Sequence, residues 1–274
     1  MLVISIVSTI ILLTIAIVLT AKFSFNKMVK KEIQHLLSSV KASDQIIKKD
    51  DIAHLPTPIQ NWLSHSGVIG KKVMNTVDIK QKASLRLAKD KPWMRVKAKQ
   101  FVALHEPSFI WHADIKAAPF FHIAGRDCYV GGRGHMLIKV LSLLTVANAK
   151  GNEIDQGSLL RYLAESVWYP TAALEGYITW EEIDEHTAKA TMSYEGIEAS
   201  GVFTFNEKSE PIRFKAERYM EREGDYSLET WLITMREFRS FDGIAVPSRG
   251  EITWKLAEGD FTWFTFEVTD LHYD

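Results

Sequence analysis

Three textures of apolar and polar residues follow one another along the chain. Residues Leu2 to Ala21 form an unbroken apolar stretch without charge, whose only polar members are Ser5, Ser8, Thr9, Thr14 and Thr20. At about 1.5 Å per residue, twenty helical residues span roughly the 30 Å hydrocarbon core of a bilayer. A cleaved signal peptide would show a basic start, a shorter apolar run and a small-residue cleavage site. Here Leu2 follows Met1 at once and Leu19-Thr20-Ala21 is a poor cleavage match, so the expectation is an uncleaved, single-pass anchor over residues 1–21.

The second texture, residues 22–70, reads as a juxtamembrane helical linker. Val29, Ile33, Leu36, Leu37 and Val40 recur at helical spacing among Lys30, Lys31, Glu32 and Gln34, which predicts an amphipathic helix ending near Lys41. Residues 42–51 are polar. A second short helix is expected from Pro58, suited to a first turn, through Ile59, Trp62 and Leu63 to a stop at Gly67.

From Val73 the period becomes two. Val77, Ile79, Ala83, Leu85 and Leu87 alternate with Asp78, Lys80, Lys82, Ser84 and Arg86, and Met94, Val96 and Ala98 alternate with Arg95, Lys97 and Lys99. Such alternation describes strands with one wet and one buried face. Phe109–Ile115 and Phe120–Val130 continue the series, as do segments near 177–183, 187–194, 199–205, 212–219, 228–241, 244–255 and 261–273. Turns fall at Glu195-Gly196, Gly224-Asp225, Asp242-Gly243 and Gly259-Asp260. The expected fold is mainly β: residues 71–274 as one large, curved antiparallel sheet, a half-barrel of about ten or eleven strands.

One insertion, residues 135–170, interrupts the alternation. Met136, Leu137, Ile138, Val140, Leu141, Leu143, Leu144, Val146 and Ala147 are apolar on every side, which reads as a buried helix closing at Lys150-Gly151. A second helix is expected over Ser158–Trp168, ended by Pro170.

Charge and cysteine content narrow the functional classes. A net charge of −1 argues against a globally basic nucleic-acid binder. Cys128 is the single cysteine, so no internal disulfide forms and no lipoprotein signal exists near the anchor. Lys22, Lys27, Lys30 and Lys31 follow the span, which favours a cytoplasmic domain by the positive-inside rule.

Catalytic signatures are missing. The sequence holds no G-x-S-x-G elbow, H-E-x-x-H, P-loop or C-x-x-C. Gly131, Gly132 and Gly134 read as a turn rather than a phosphate cradle, and Ser38 with Lys41 satisfies only a bare S-x-x-K on the juxtamembrane helix. His105, His112, His122 and His135 share one stretch of sequence without ligand-like spacing. Arg161 and Glu165 are four apart, which fits either a solvent-facing ion pair or an ordered contact at a cavity mouth. Trp111, Phe120, Phe121, Trp168 and Tyr169 read singly as core, but their grouping beside an all-apolar helix points to a cavity.

Several segments carry a family resemblance: Leu55–Leu63, Ser66-Gly67-Val68, Pro107–Trp111, Arg161–Glu165 with Trp168–Thr171, and Arg218-Tyr219. Together they resemble an uncharacterised family of bacterial membrane-anchored proteins, which brings no catalytic residue with it. The expected architecture also resembles that of the periplasmic lipoprotein carriers of the LolA and LppX type. That likeness implies an extracytoplasmic domain holding acyl chains between sheet and helices, against the lysine count, so the side of the membrane stays open.

The sequence therefore points to a membrane-tethered, non-catalytic binding protein for an apolar ligand, a lipid or lipidated peptide, without cofactor or metal. Its cavity is expected from Trp111, Phe121, Leu137, Ile138, Leu141, Leu144, Leu163, Trp168 and Tyr169, with Arg161 and Glu165 at a polar mouth. The alternatives are a partner-binding module of an envelope complex and, further off, an enzyme acting on a membrane substrate.

Overall fold

The computed structural model describes residues 1–119 and 121–274; Phe120, grouped above with the aromatics, lies outside the described residues. Helix α1 (Leu2–Ser39) is continuous, joining the apolar stretch to the amphipathic helix without a break. It contains no Gly or Pro to kink it. Among the described residues it is the one helix long and apolar enough to cross a membrane.

Thirteen antiparallel strands then form one sheet. In chain order they are β1 (Thr76–Leu85), β2 (Met94–Ala103), β3 (Ser108–Ala118), β4 (Phe121–Val130), β5 (Arg133–Val140), β6 (Leu144–Ala149), β7 (Ile178–Asp184), β8 (Thr187–Tyr194), β9 (Ile197–Phe205), β10 (Pro211–Arg222), β11 (Asp225–Phe241), β12 (Ile244–Lys255) and β13 (Phe261–Tyr273). The spatial order is β6-β5-β4-β3-β2-β1-β13-β12-β11-β10-β9-β8-β7, so the first and last strands pair in the interior and the meander curls to either side of them.

The alternation anticipated β8, β12 and β13 residue for residue, and the half-barrel expected from it is the fold observed. The apolar segment after Gly134 is a correction. It is the β5–β6 hairpin and not a buried helix, which accounts for the two strands beyond the expected eleven. Its alternation is invisible because both phases of β5 carry apolar side chains. Met136, Ile138 and Val140 share the inward phase, while Leu137 turns outward against α1. A strand apolar on both phases reads like a buried helix.

The insertion helix is α3 (Asn152–Glu165), which starts six residues before Ser158 and is followed by 3-10 turns at Ser166–Trp168 and Pro170–Leu174. It links the sheet's two edge strands across the opening and touches β4 and β5 on one limb and β8, β9 and β10 on the other. Gly134 permits this crossing. A Cβ there would lie 2.5 Å from Ser158 Oγ and 2.6 Å from Ile154 O, so only glycine lets the helix backbone approach β5. The Gly134 N–H donates to Asp155 Oδ1 at 2.6 Å, and Arg133 donates to Asp155 Oδ2 at 2.8 Å.

Helix α2 (Thr57–Ser66) also belongs inside, ending at Gly67 in the left-handed region (φ 83°). Ile59, Trp62 and Leu63 are buried, and Trp62 packs with Trp180, Phe203 and Phe205. From Ile47 onward the expected linker is therefore part of the main core.

The opposite face of the sheet carries a second cluster. Phe25, Val29 and Leu36 of α1 pack against Ala103, Ile110, Ala124 and Leu137. Ion pairs flank this seam, Lys22 to Asp114 at 2.6 Å and Glu32 to Arg126 at 3.2 Å. His112, whose ring lies 5.8 Å from that of Phe25, has its pKa lowered by burial, with Lys22 and Lys99 acting in the same sense and Asp114 opposing.

A histidine whose folded pKa is depressed stabilises the fold fully above the unfolded value near 6.5, and that stability is lost as pH falls through it. The unfolding midpoint of the full chain should therefore drop between about pH 7 and pH 5, and His112→Gln should flatten the drop. An identical pH profile for the variant would remove His112 from the account.

Candidate functional site

The inward phase of the strands carries polar residues where the pattern calls for apolar ones. Gln81 on β1, Gln100 on β2, Asp127 on β4 and Arg218 on β10 all point into the concavity, and they gather beneath α3. Arg161 is the hub. Its Nε donates to Glu165 Oε1 at 2.8 Å, one terminal nitrogen to Asp127 Oδ2 at 2.6 Å, and the other to Gln100 Oε1 at 2.9 Å. The Gln100 amide in turn donates to Glu165 Oε2 at 2.6 Å.

The Arg161 guanidinium also lies over Phe109 and Trp111, at 4.8 and 5.3 Å from the ring centres, and the Trp111 indole N–H donates to Gln81 at 3.1 Å. Burial works against the Arg161 charge, but Glu165 and Asp127 outweigh it and hold the pKa above its ordinary value. The expected Arg161–Glu165 pair thus exists as a buried, fully bonded network rather than a solvent-facing contact.

Arg218 sits differently. Its guanidinium lies 4.6 Å over the Trp231 ring and makes no hydrogen bond among the described residues, and its Nε is both buried and unpartnered. Burial lowers its pKa to about 10, so it remains charged at neutral pH.

The other expected site residues divide among four places. Leu163, Trp168 and Tyr169 are solid core, tied by Trp168 Nε1 to Pro247 O at 2.9 Å and by Tyr169 Oη to Tyr162 O at 2.8 Å. Leu137 faces α1 on the far side of the sheet. Leu141 occupies the β5–β6 turn with φ 53°, and Leu144 just after it is 63% exposed. Ile138 and Phe121 share the inward phase with Trp111, so these three, with Arg161 and Glu165, are what the fold brings to one side.

Residues Asp127, Gln81, Gln100, Arg218 and Trp231 escaped the sequence reading. Their signal was present as polar residues on the apolar phase of otherwise alternating strands. The histidines do not converge: His112, His122 and His135 are spread along the outer phase of β3, β4 and β5, and His105 lies 4.0 Å from Glu175 elsewhere. Among the described residues no group of three or more His, Cys, Asp or Glu is placed to hold a metal.

Two open recesses of about 660 and 670 Å³ flank residues 41–45, one beside Lys72, Asp242 and Tyr273 and the other beside His54, His105 and Glu175. Both open at the surface away from the Arg161 network, the first lined more by apolar side chains such as Leu37, Val40 and Ile244 and the second more by polar ones.

A family model, described as a family of unknown function (DUF6544), matches residues 45–266. The chain belongs to this family. The match takes in α2, the whole network beneath α3 and most of the sheet. No curated protein matches the chain.

Among solved structures, a domain described as an outer membrane lipoprotein-sorting protein from Vibrio parahaemolyticus is similar at 9% identity and a TM-score of 0.46, covering 79% of this chain and 91% of its own. A LolA superfamily protein from Nitrosomonas europaea is similar at 11% identity and 0.43, over 79% and 93%. A DUF1329 family protein from Desulfovibrio piger follows at 11% and 0.42, over 80% and 94%. These are likenesses of fold.

Removing the hub should be costly, because Arg161→Met strands two buried carboxylates. The expected loss is about 3–5 kcal/mol, read as a lower urea midpoint. Adding Asp127→Asn and Glu165→Gln should recover much of it. A single variant as stable as the parent would show that the network is solvated.

Proposed function

We propose that this protein is a membrane-tethered, non-catalytic binding module for an apolar ligand, a lipid or lipidated peptide, with the open end of its half-barrel turned to the bilayer. The observation that carries this reading is the seating of α1 on the outer face of the sheet. Lys22, the first charge after the apolar stretch, meets Asp114, four residues before the end of β3. At about 3.3 Å per residue, that strand runs some 13 Å further toward the bilayer.

The turns at that end are apolar and uncovered. Phe121 is 40% exposed, Leu143 46%, Leu144 63% and Val146 60%. Lys116 and Lys139 stand nearby on the outer phase, where anionic head groups would meet them. Inside the same end, Trp111, Ile123, Met136 and Ile138 line the concave face and are only partly covered. Apolar burial at about 25 cal/mol per Å² supplies affinity there without any reacting group.

A second reading, a partner-binding module of an envelope complex, is favoured by the dense packing beneath α2 and α3, where Leu163, Trp168 and Tyr169 leave no room for a chain.

Native mass spectrometry of the full chain, purified in mild detergent from its own host, separates the two. Retained lipid or lipopeptide mass is expected; a bare chain accompanied by a stoichiometric protein partner would favour the second reading. For the geometry, a fluorophore on Leu144→Cys should be quenched by spin-labelled lipids in nanodiscs, whereas one on Asp242→Cys should not. Equal exposure of the two positions would overturn the proposed seating.

A further inference from the structure

Two arginines lie beneath α3, and their contrast carries an inference about the ligand. Arg161 spends its donors on Asp127, Glu165 and Gln100. Arg218 spends none within the described residues, and its Nε is buried without a partner. The residue opposite it across the β10–β11 ladder is Glu229, a ready counter-ion by position. Glu229 instead accepts from Ser227 Oγ at 3.0 Å.

Helix α3 meets the guanidinium at a residue without a side chain. Gly157 in the middle of α3 faces it, and a Cβ there would stand 3.4 Å from Arg218 Nε and 3.6 Å from Nη2. Glycine inside a helix is unfavourable relative to alanine, so a helix that only needed to pack would gain from the methyl group. Stacking on Trp231 fixes the guanidinium plane and leaves its edge free. Met220 continues the same inward phase on β10 as partly exposed apolar surface, with the buried Trp231 ring beside it on β11.

We propose that Arg218 is an anion-binding residue, taking the carboxylate or phosphate group of an amphiphile whose apolar part lies along Met220, next to the buried Trp231 on which the guanidinium is stacked. The assignment rests on the apolar-ligand reading above and adds the charge of the head group. Arg161 is held by its own carboxylates and positions Trp111 and Gln100 around the site rather than binding the anion. Planar, two-pronged donation to an oxyanion is what a guanidinium oriented by an aromatic ring offers.

The test uses the full chain in a maltoside detergent with a diazirine-bearing fatty acid, its methyl ester, and inorganic phosphate as competitor. Photolabelled residues are located by peptide mass spectrometry. The acid should label the Met220 and Trp231 peptides, and Arg218→Gln should weaken this by about tenfold or more, the scale of a charge-assisted hydrogen bond. The ester should label weakly in both forms. Protection by millimolar phosphate would assign the site to a free anion; no protection would assign it to the head group of the amphiphile.

Equal labelling by acid and ester, unchanged in Arg218→Gln, would overturn the anion site while leaving the apolar-ligand reading intact. No labelling by either probe would overturn both. Gly157→Ala guards against a folding artefact, since it should raise the unfolding midpoint while lowering acid labelling. A Gly157→Ala protein that is more stable and labels as well as the parent would count against the site. Arg218→Gln should lower the unfolding midpoint only slightly, because the guanidinium makes no hydrogen bond and loses only its stacking on Trp231; a large drop in its midpoint would make Arg218 structural.

Discussion

The missing side chain at Gly134 is the constraint on which the rest of the arrangement depends. A sheet of thirteen strands has to cover its concave face, and here the cover is α2, the turns after α3 and α3 itself, which alone is laid between the two limbs. Helix α3 can reach both limbs only because its backbone lies directly on β5, where Asp155 collects the Gly134 N–H and the Arg133 guanidinium. Any Cβ at Gly134 would lift the helix and separate Arg161 from Asp127 and Gln100. The opposite turn of the sheet is fitted to the same closure, since a Cβ on Gly132 would collide with the side chain of Glu195. Closing the half-barrel and assembling the buried network are one event.

Most of the fold was legible because most strands have one wet face. Where that condition held, as along Thr187–Tyr194 and Phe261–Tyr273, the period of two marked the strand ends correctly. Where it failed, so did the reading. Leu137 lies under Leu36 and Val29 of a helix more than ninety residues upstream, a long-range contact that local periodicity cannot express. Leu141 and Ser142, both with positive φ in the intervening turn, left no Gly or Asn to announce it. The β-branched residues Ile138, Val140, Thr145 and Val146 were the one local sign of strand.

The candidate site was half legible for a related reason. Arg161 and Glu165 stood out as a helical pair, but their partners come from strands far apart in sequence, and each looked like an ordinary polar position. The informative feature is phase rather than identity. Gln81 follows Val77 and Ile79 at the core-facing interval, Gln100 follows Val96 and Ala98, and Arg218 follows Phe214 and Ala216. A buried charge is tolerated when paired and costly when not, so the satisfied Arg161 and the unsatisfied Arg218 represent two different uses of the same side chain within one interior.

The unbroken course of α1 has a mechanical consequence. Its 38 residues contain no hinge, and its second half is clamped to the sheet by Phe25, Val29, Leu36 and two ion pairs. The helix therefore joins its apolar half to the sheet as one continuous piece rather than through a flexible linker. A rotation of its apolar half about the long axis turns the whole sheet through the same angle, and a tilt swings the far turns through an arc set by the size of the domain. Pairing of apolar halves between neighbouring copies would fix the azimuth of each domain as well as its distance.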